Sequence, residues 1–376
     1  MLCNTSILRG LCDKEKEEII MNKTTSRGHR LNYIDNLRWI CVFLLIPYHA
    51  AMSYNIWGED FYIYFEPSKP IAALVLFCSP WIMPLMFLLA GVSASFSLKK
   101  RGYLGFIKER FIKLGIAFIL GVLLITPVLS YFADVTHNGY SGNYFEHYKV
   151  FFTRITDLSG NDGGFAVAHL WFILVLIIIS IEACVIIKIV EIIPVKKREV
   201  LGLICFIALT LAAIATFKIR LFGEPVYTYL FLFLLGYYFY SDKNFIEKLK
   251  ELKWFIVPIF LISAILYVYL VEYTEGFYRF TTVCNYLAFI LGVPAIFCLG
   301  SLWLDFRNDV TGFFSEISYL YYIIHFPILV FCQYILEKIG MNHTGNFFVT
   351  ILLAVPITLT FCLMYKRFKR FGCKNN

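Results

Sequence analysis

Arg38 and His49 are the two residues of the first long apolar run whose types could do chemistry. The run opens Asp35-Asn-Leu-Arg38-Trp-Ile-Cys and ends Leu-Leu-Ile-Pro47-Tyr-His49. A guanidinium is a permanent positive charge suited to anions, and an imidazole exchanges a proton near neutral pH. The two lie eleven residues apart. On an α-helix that spacing is three turns plus a residual rotation of roughly 20°, so both side chains point the same way, separated axially by about 16 Å. Asp35, three residues before Arg38, shares that face. Pro47 frees a carbonyl about one turn earlier and loosens the helix just before the histidine. Ionisable groups at depth in a bilayer are expensive and therefore functional candidates. The competing reading makes Arg38 an interfacial anchor and His49 a hydrogen-bonded packing residue.

The elements that must carry these residues are membrane helices. Of 376 residues 59% are hydrophobic and only 16% charged, against about 25% charge in soluble domains, so the expected class is an all-α polytopic membrane protein. Spans are expected at 37–54, 70–97, 111–132, 165–190, 200–217, 226–240, 254–271, 280–303, 316–336 and 347–365, the sixth short for a full crossing. Residues 1–36 are polar and hold no apolar core like that of a cleaved signal, so the first span is expected to serve as the anchor, and Met21 is an alternative start. With the N-terminus inside, 27 of the 34 lysines and arginines fall on the cytoplasmic side, so both termini are expected to be cytoplasmic. The organisation is then a cytoplasmic segment 1–36, a membrane domain 37–366 and a basic tail 367–376. The eleven cysteines lie mostly inside apolar runs with no metal-ligand spacing, which points to packing residues and to no bound metal.

Three other segments carry polar groups that need a reason. Lys99, Lys100, Arg101, Lys108, Arg110 and Lys113 place six positive charges in fifteen residues. They either mark topology and bind acidic lipid headgroups or seat the phosphates of a nucleotide-like donor. His169-Leu-Trp171 enters the fourth span from outside and fits an aromatic belt as well as a site. Glu316-Ile-Ser318-Tyr319-Leu-Tyr321-Tyr322-Ile-Ile-His325 enters from inside, which places His325 roughly 14 Å deep, similar to His49. Ser318, Tyr321, Tyr322 and His325 share one helical face. The longest outer loop, 133–164, is rich in glycine, asparagine and aromatics, a composition suited to stacking on sugars and equally to a solvated connector.

Asp35-x-x-Arg38 followed by Arg38-x10-His49 resembles the signature of the membrane acyltransferase-3 family. Pro84-Leu-Met-Phe87-Leu-Leu-Ala-Gly91 is similar to that family's second-helix pattern, with Ala90 where many members have serine. Arg110 lies where the family has basic residues before its third helix. His169-Leu-Trp171-Phe172 and Ile317-Ser318-Tyr319-Leu-Tyr321-Tyr322-Ile-Ile-His325-Phe-Pro327 resemble its mid-chain and late motifs. The likeness covers about residues 30–366 and, within the family, is greatest to the glucans biosynthesis protein C group.

The resemblance implies transfer of an acyl group, acetyl or succinyl in class, from cytoplasmic acyl-CoA to a hydroxyl of an extracytoplasmic glycan. It implies a multi-pass protein of the plasma or inner membrane with no permanently bound cofactor and no nucleic-acid partner. The residues implied for catalysis are His49, as general base or covalent acyl acceptor, Arg38, Asp35 to orient it, and His325 to steady the base or the acceptor. Arg38, Lys100, Arg101, Arg110 and Lys113 are implied for CoA, and His169, Trp171 and Tyr322 for the acceptor. The alternative from another class is a carbohydrate or lipid exporter without covalent chemistry, against which stands the absence of an inverted repeat.

Overall fold

A computed structural model describes residues 31–58, 61–192, 198–221 and 223–374. The expected cytoplasmic segment 1–36 and its Met21 lie almost wholly outside the described residues. Among these the chain is nearly all helix: α1 Asn32–Met52, α2 Lys69–Cys78, α3 Ile82–Arg110, a π turn Phe111–Gly115, α4 Ile116–Leu124, α5 Thr126–His137, α6 Tyr144–Thr153, α7 Trp171–Ile192, α8 Arg198–Thr216, α9 Val226–Tyr238, α10 Lys243–Glu251, α11 Lys253–Tyr273, α12 Tyr278–Trp303, α13 Asp309–Lys338 and α14 His343–Lys374. Strands β1 Ile155–Leu158 and β2 Phe165–Ala166 form one short parallel pair.

Each of the ten apolar stretches is mainly helical, but 165–190 opens on β2 before α7 and two others are divided between helices. The stretch 70–97 divides into α2 and α3 around Pro80, and 111–132 divides at Ile125, ahead of Pro127. Proline lacks the donor that a continuing helix needs and clashes with the preceding turn. Six helical stretches among the described residues are long and apolar enough to cross a membrane: Lys69–His137, Ala168–Ile192, Lys253–Tyr273, Tyr278–Trp303, Asp309–Lys338 and His343–Lys369. α1, though 21 residues long, is not among them, because Asp35, Arg38, Pro47 and His49 dilute its apolar run. The polar residues singled out in the sequence are thus what lowers its hydropathy.

The short helix α9 is held by backbone contact with α3. A Cβ on Gly91 would stand 1.9 Å from the Phe233 carbonyl oxygen, and one on Gly236 would stand 2.2 Å from that of Leu88. Small residues facing each other let membrane helices approach this closely, which replaces the hydrophobic drive that lipid does not supply. Farther along α3, Gly102 takes φ 66° and ψ 177° and kinks the helix, a conformation open to glycine without a Cβ penalty. The short part beyond the kink carries Glu109 and Arg110.

The region 133–164, read as a loop, is largely folded. α5 runs on to His137, and α6 begins at a capping box in which Asn143 and Glu146 satisfy each other's backbone donors. The sequence Asn143-x-x-Glu146 carried that signal. Asp134, 1% exposed, accepts from His147 Nε2 at 2.7 Å, Arg154 at 2.6 Å, Asn138 at 2.8 Å and the Gly164 N–H at 3.1 Å. The folded region clasps the segment after α1: Tyr62 donates to the Ser159 carbonyl at 2.6 Å and Thr136 to that of Tyr62 at 2.8 Å.

The seam between α3 and α9 yields a direct test. Gly236→Ala must push the two helices apart and is expected to cost about 1–3 kcal/mol, read as a lower melting temperature in detergent. Gly202→Ala on α8, where the added Cβ meets nothing within 4 Å, is expected to leave it unlowered or slightly raised, since alanine favours a helix over glycine.

Candidate active site

Helices α1, α3, α7 and α13, with the π turn, enclose a cavity of about 260 Å³. Arg38, Ser93, Arg110, Ser318, Tyr319 and Tyr322 supply its polar lining; Val42, Met86, Ala90, Leu114, Phe172, Ile173 and Leu176 complete the wall. Arg38 is fixed from two sides, by Asp35 at 3.2 Å and by the Ser93 hydroxyl at 2.7 Å. The first contact is the i, i+3 pair expected from sequence. The second comes from α3, and Ser93 carried no signal of its own. Arg110 sits where α3 passes into the π turn and lies over the Phe106 ring at 4.9 Å. Its neighbour four residues on, Leu114, also faces the cavity. A π turn widens the helix locally and recurs at functional sites.

The rest of the basic cluster does not line the cavity. Lys113 pairs with Glu109 at 2.9 Å, Arg101 pairs with the same carboxylate, and Lys100 is exposed. Lys113 contributes its backbone instead, because the Tyr319 hydroxyl donates to its carbonyl at 3.2 Å and bridges α13 to the π turn. Two arginines therefore face the cavity, while a shared glutamate ties down Arg101 and Lys113.

Tyr322 connects this cavity to a cluster of three histidines. Its hydroxyl donates to the His169 carbonyl, and its own carbonyl accepts from His325 Nδ1 at 2.7 Å. His169 Nε2 in turn donates to the Ile323 carbonyl at 3.0 Å. The His325 ring lies 5.4 Å from that of His169 and 5.6 Å from that of His49. His325 is 0% and His169 5% exposed, whereas His49 keeps part of its surface accessible. His49 Nδ1, His169 Nδ1 and His325 Nε2 are buried without a hydrogen-bond partner in the protein.

Packing and polar contacts fix the end of α1 that bears His49. The His49 ring stacks on Phe326 at 4.4 Å, and buried Phe61 and Tyr62 cover Phe326 from the other side. Gln333 on α13 accepts from Ser53 at 3.2 Å and donates to the Ala50 carbonyl at 3.3 Å. Trp171 is not part of the cluster; it packs among Phe87, Phe172 and Tyr229. Among the described residues no three of His, Cys, Asp or Glu are placed to hold a metal ion.

The arrangement can hold an anionic group at the arginines, take an uncharged arm along apolar walls, and present imidazole nitrogen beyond Tyr322. The sequence profile of the acyltransferase 3 family, described as an acyltransferase domain, matches residues 31–367. The chain belongs to that family and is a membrane acyltransferase. No curated protein and no solved structure matches it.

The link through Tyr322 can be tested without an activity assay. Tyr322→Phe removes only the hydroxyl and takes this donor from the buried His169 carbonyl. The expected cost is about 1–3 kcal/mol, measured as a lower melting temperature, with the purified variant still monodisperse.

Proposed function

We propose that this acyltransferase moves an acyl group, acetyl or succinyl in class, from cytoplasmic acyl-CoA to a hydroxyl of an extracytoplasmic glycan. In this reading the chain crosses the plasma or inner membrane ten times, with both termini in the cytoplasm. The observation that carries it is the cavity: two arginines at its basic lining, apolar walls, and Tyr322 joining it to the histidine cluster.

Each part of acyl-CoA finds a chemical counterpart there. The phosphates are polyanionic and suit Arg38 and Arg110, whose planar guanidinium groups bind phosphate through paired donors. Lys100, Arg101 and Lys113 add attraction from farther out. The pantetheine arm is long, thin and uncharged, and it suits the wall formed by Met86, Ala90, Phe172 and Leu176. Its thioester then lies by Tyr322, within reach of the histidines. His169 and Tyr322 border the place where the acceptor hydroxyl enters, and Trp171 shapes that region through its packing.

The transfer uses His49 as the base. Its Nε2 takes the proton of the acceptor hydroxyl, the freed oxygen bonds to the thioester carbonyl carbon, and the C–S bond breaks. The departing sulfur then takes the proton from His49 Nε2–H and leaves as the CoA thiol. In the covalent variant, Nε2 first bonds to the thioester carbonyl carbon and the C–S bond breaks, releasing the CoA thiolate. The acceptor hydroxyl then attacks the acyl carbon, the C–N bond breaks, and the hydroxyl proton passes to the thiolate. Both routes need the one cluster histidine that keeps accessible surface.

Mass spectrometry of cell-envelope glycans, with and without the protein, is expected to show a single added acyl mass that is lost in the deletion. His49→Ala and Arg38→Ala are each expected to abolish it at unchanged membrane levels. Normal acylation in the His49 variant would overturn the mechanism. Loss of glycan secretion whatever its acyl content would instead indicate an exporter.

A further inference from the structure

The two buried histidines of the cluster have definite tautomers. A backbone carbonyl only accepts, so the ring nitrogen facing it must carry the proton. His325 Nδ1 faces the Tyr322 carbonyl at 2.7 Å and His169 Nε2 faces the Ile323 carbonyl at 3.0 Å. Neutral His325 therefore has a bare lone pair on Nε2, and neutral His169 has one on Nδ1. Both nitrogens are buried and without a partner in the protein. Two acceptors cannot satisfy each other, so the cluster needs a donor from outside the pair.

His49 is the group that can supply it. Its Nδ1 is also buried and unpartnered, and the residue as a whole is only partly buried. The His49 and His325 rings lie 5.6 Å apart, tilted by 31°, close to the roughly 5 Å between centroids of two imidazoles that share a nitrogen-to-nitrogen hydrogen bond. The Tyr321 hydroxyl is buried and unpartnered too, but its ring lies parallel to that of His325 with centroids 6.3 Å apart, an arrangement that favours stacking over donation in the imidazole plane. Catalytic hydrogen bonds are often long in a free enzyme and close when substrate binds.

We infer that His325 is the positioning residue for His49, accepting a hydrogen bond from His49 Nδ1–H through its Nε2 and so directing the bare Nε2 of His49 at the substrate. The chain of donors runs from His49 Nδ1–H to His325 Nε2, and from His325 Nδ1–H to the Tyr322 carbonyl. A carboxylate holds the base in the serine-protease triad; here a second imidazole, fixed by a carbonyl, does so. When His49 Nε2 takes the hydroxyl proton, the positive charge shared over its ring is stabilised by the same bond. No further proton moves, because the Nδ1 proton stays on His49. The inference rests on the acyl-transfer reading for its catalytic consequence and on geometry alone for the tautomers.

Two measurements test it. Nitrogen-15 NMR of the histidine-labelled full chain, assigned with single His→Gln variants, is expected to show the proton on Nδ1 of both His49 and His325, and on Nε2 of His169. A proton on Nε2 of His49 overturns the inference. In acylation assays per folded protein, His325→Ala is expected to lower kcat on the order of 100-fold with the KM for acyl-CoA unchanged. His325→Gln, whose amide can donate to the Tyr322 carbonyl and accept from His49, is expected to turn over about tenfold faster than the alanine variant. Equal rates in the two variants, or an alanine variant as active as the parent, also overturn it. If the parent acylates no glycan with any acyl-CoA, the acyl-transfer reading fails while the tautomer result stands or falls by itself.

Discussion

Inside a bundle of apolar helices the protein itself must satisfy each polar group, and Tyr322 is where the site meets that constraint. One residue closes two hydrogen bonds, with its hydroxyl on the His169 carbonyl and its own carbonyl on His325. The first ties the entry to α7 onto α13. The second fixes which nitrogen of His325 carries the proton. Because the same ring lines the cavity, whatever occupies that space touches the residue that orients the histidines. Tyr322 joins cavity and cluster for that reason.

The surrounding helices keep this arrangement in register by close contact. The Gly91–Gly236 seam lets α3 lie directly against α9, and α3 brings Ser93 to Arg38. Gln333 secures the far end of α1 at Ala50 and Ser53, three and six residues beyond Pro47, where the helix is loosened. The folded region after α5 holds Tyr62, which with Phe61 packs onto Phe326, the ring that stacks on His49. The buried Asp134, with its four donors, anchors that cover. Burying a carboxylate is tolerable only when its oxygens are filled in this way.

Charge and proton chemistry are kept apart along the site. The arginines face the cavity and hold their charge at any physiological pH. The histidines beyond Tyr322 lie among aromatic rings, with no ion pair to a carboxylate among the described residues. An anionic donor can be held at one end without disturbing the neutral imidazoles at the other.

The sequence by itself determined the class and the candidate residues. Composition required membrane helices, and the spacing of Asp35, Arg38 and His49 on one face followed from helical periodicity. His325 with Tyr322 one turn earlier was legible for the same reason, since residues i and i+3 on one helix are neighbours whatever the rest of the fold does. Only tertiary structure decided which of the basic residues 99–113 face the cavity, because a kink at Gly102 and a π turn break the periodicity on which such a prediction depends. It also placed His169 with the other histidines and Trp171 with Tyr229, although the two are nearly adjacent in sequence. Ser93 carried no signal, since a lone serine on an apolar helix has meaning only through its partner on another helix. Periodicity orders residues along one helix; contacts between helices depend on rotation and depth, which are set by packing the whole bundle.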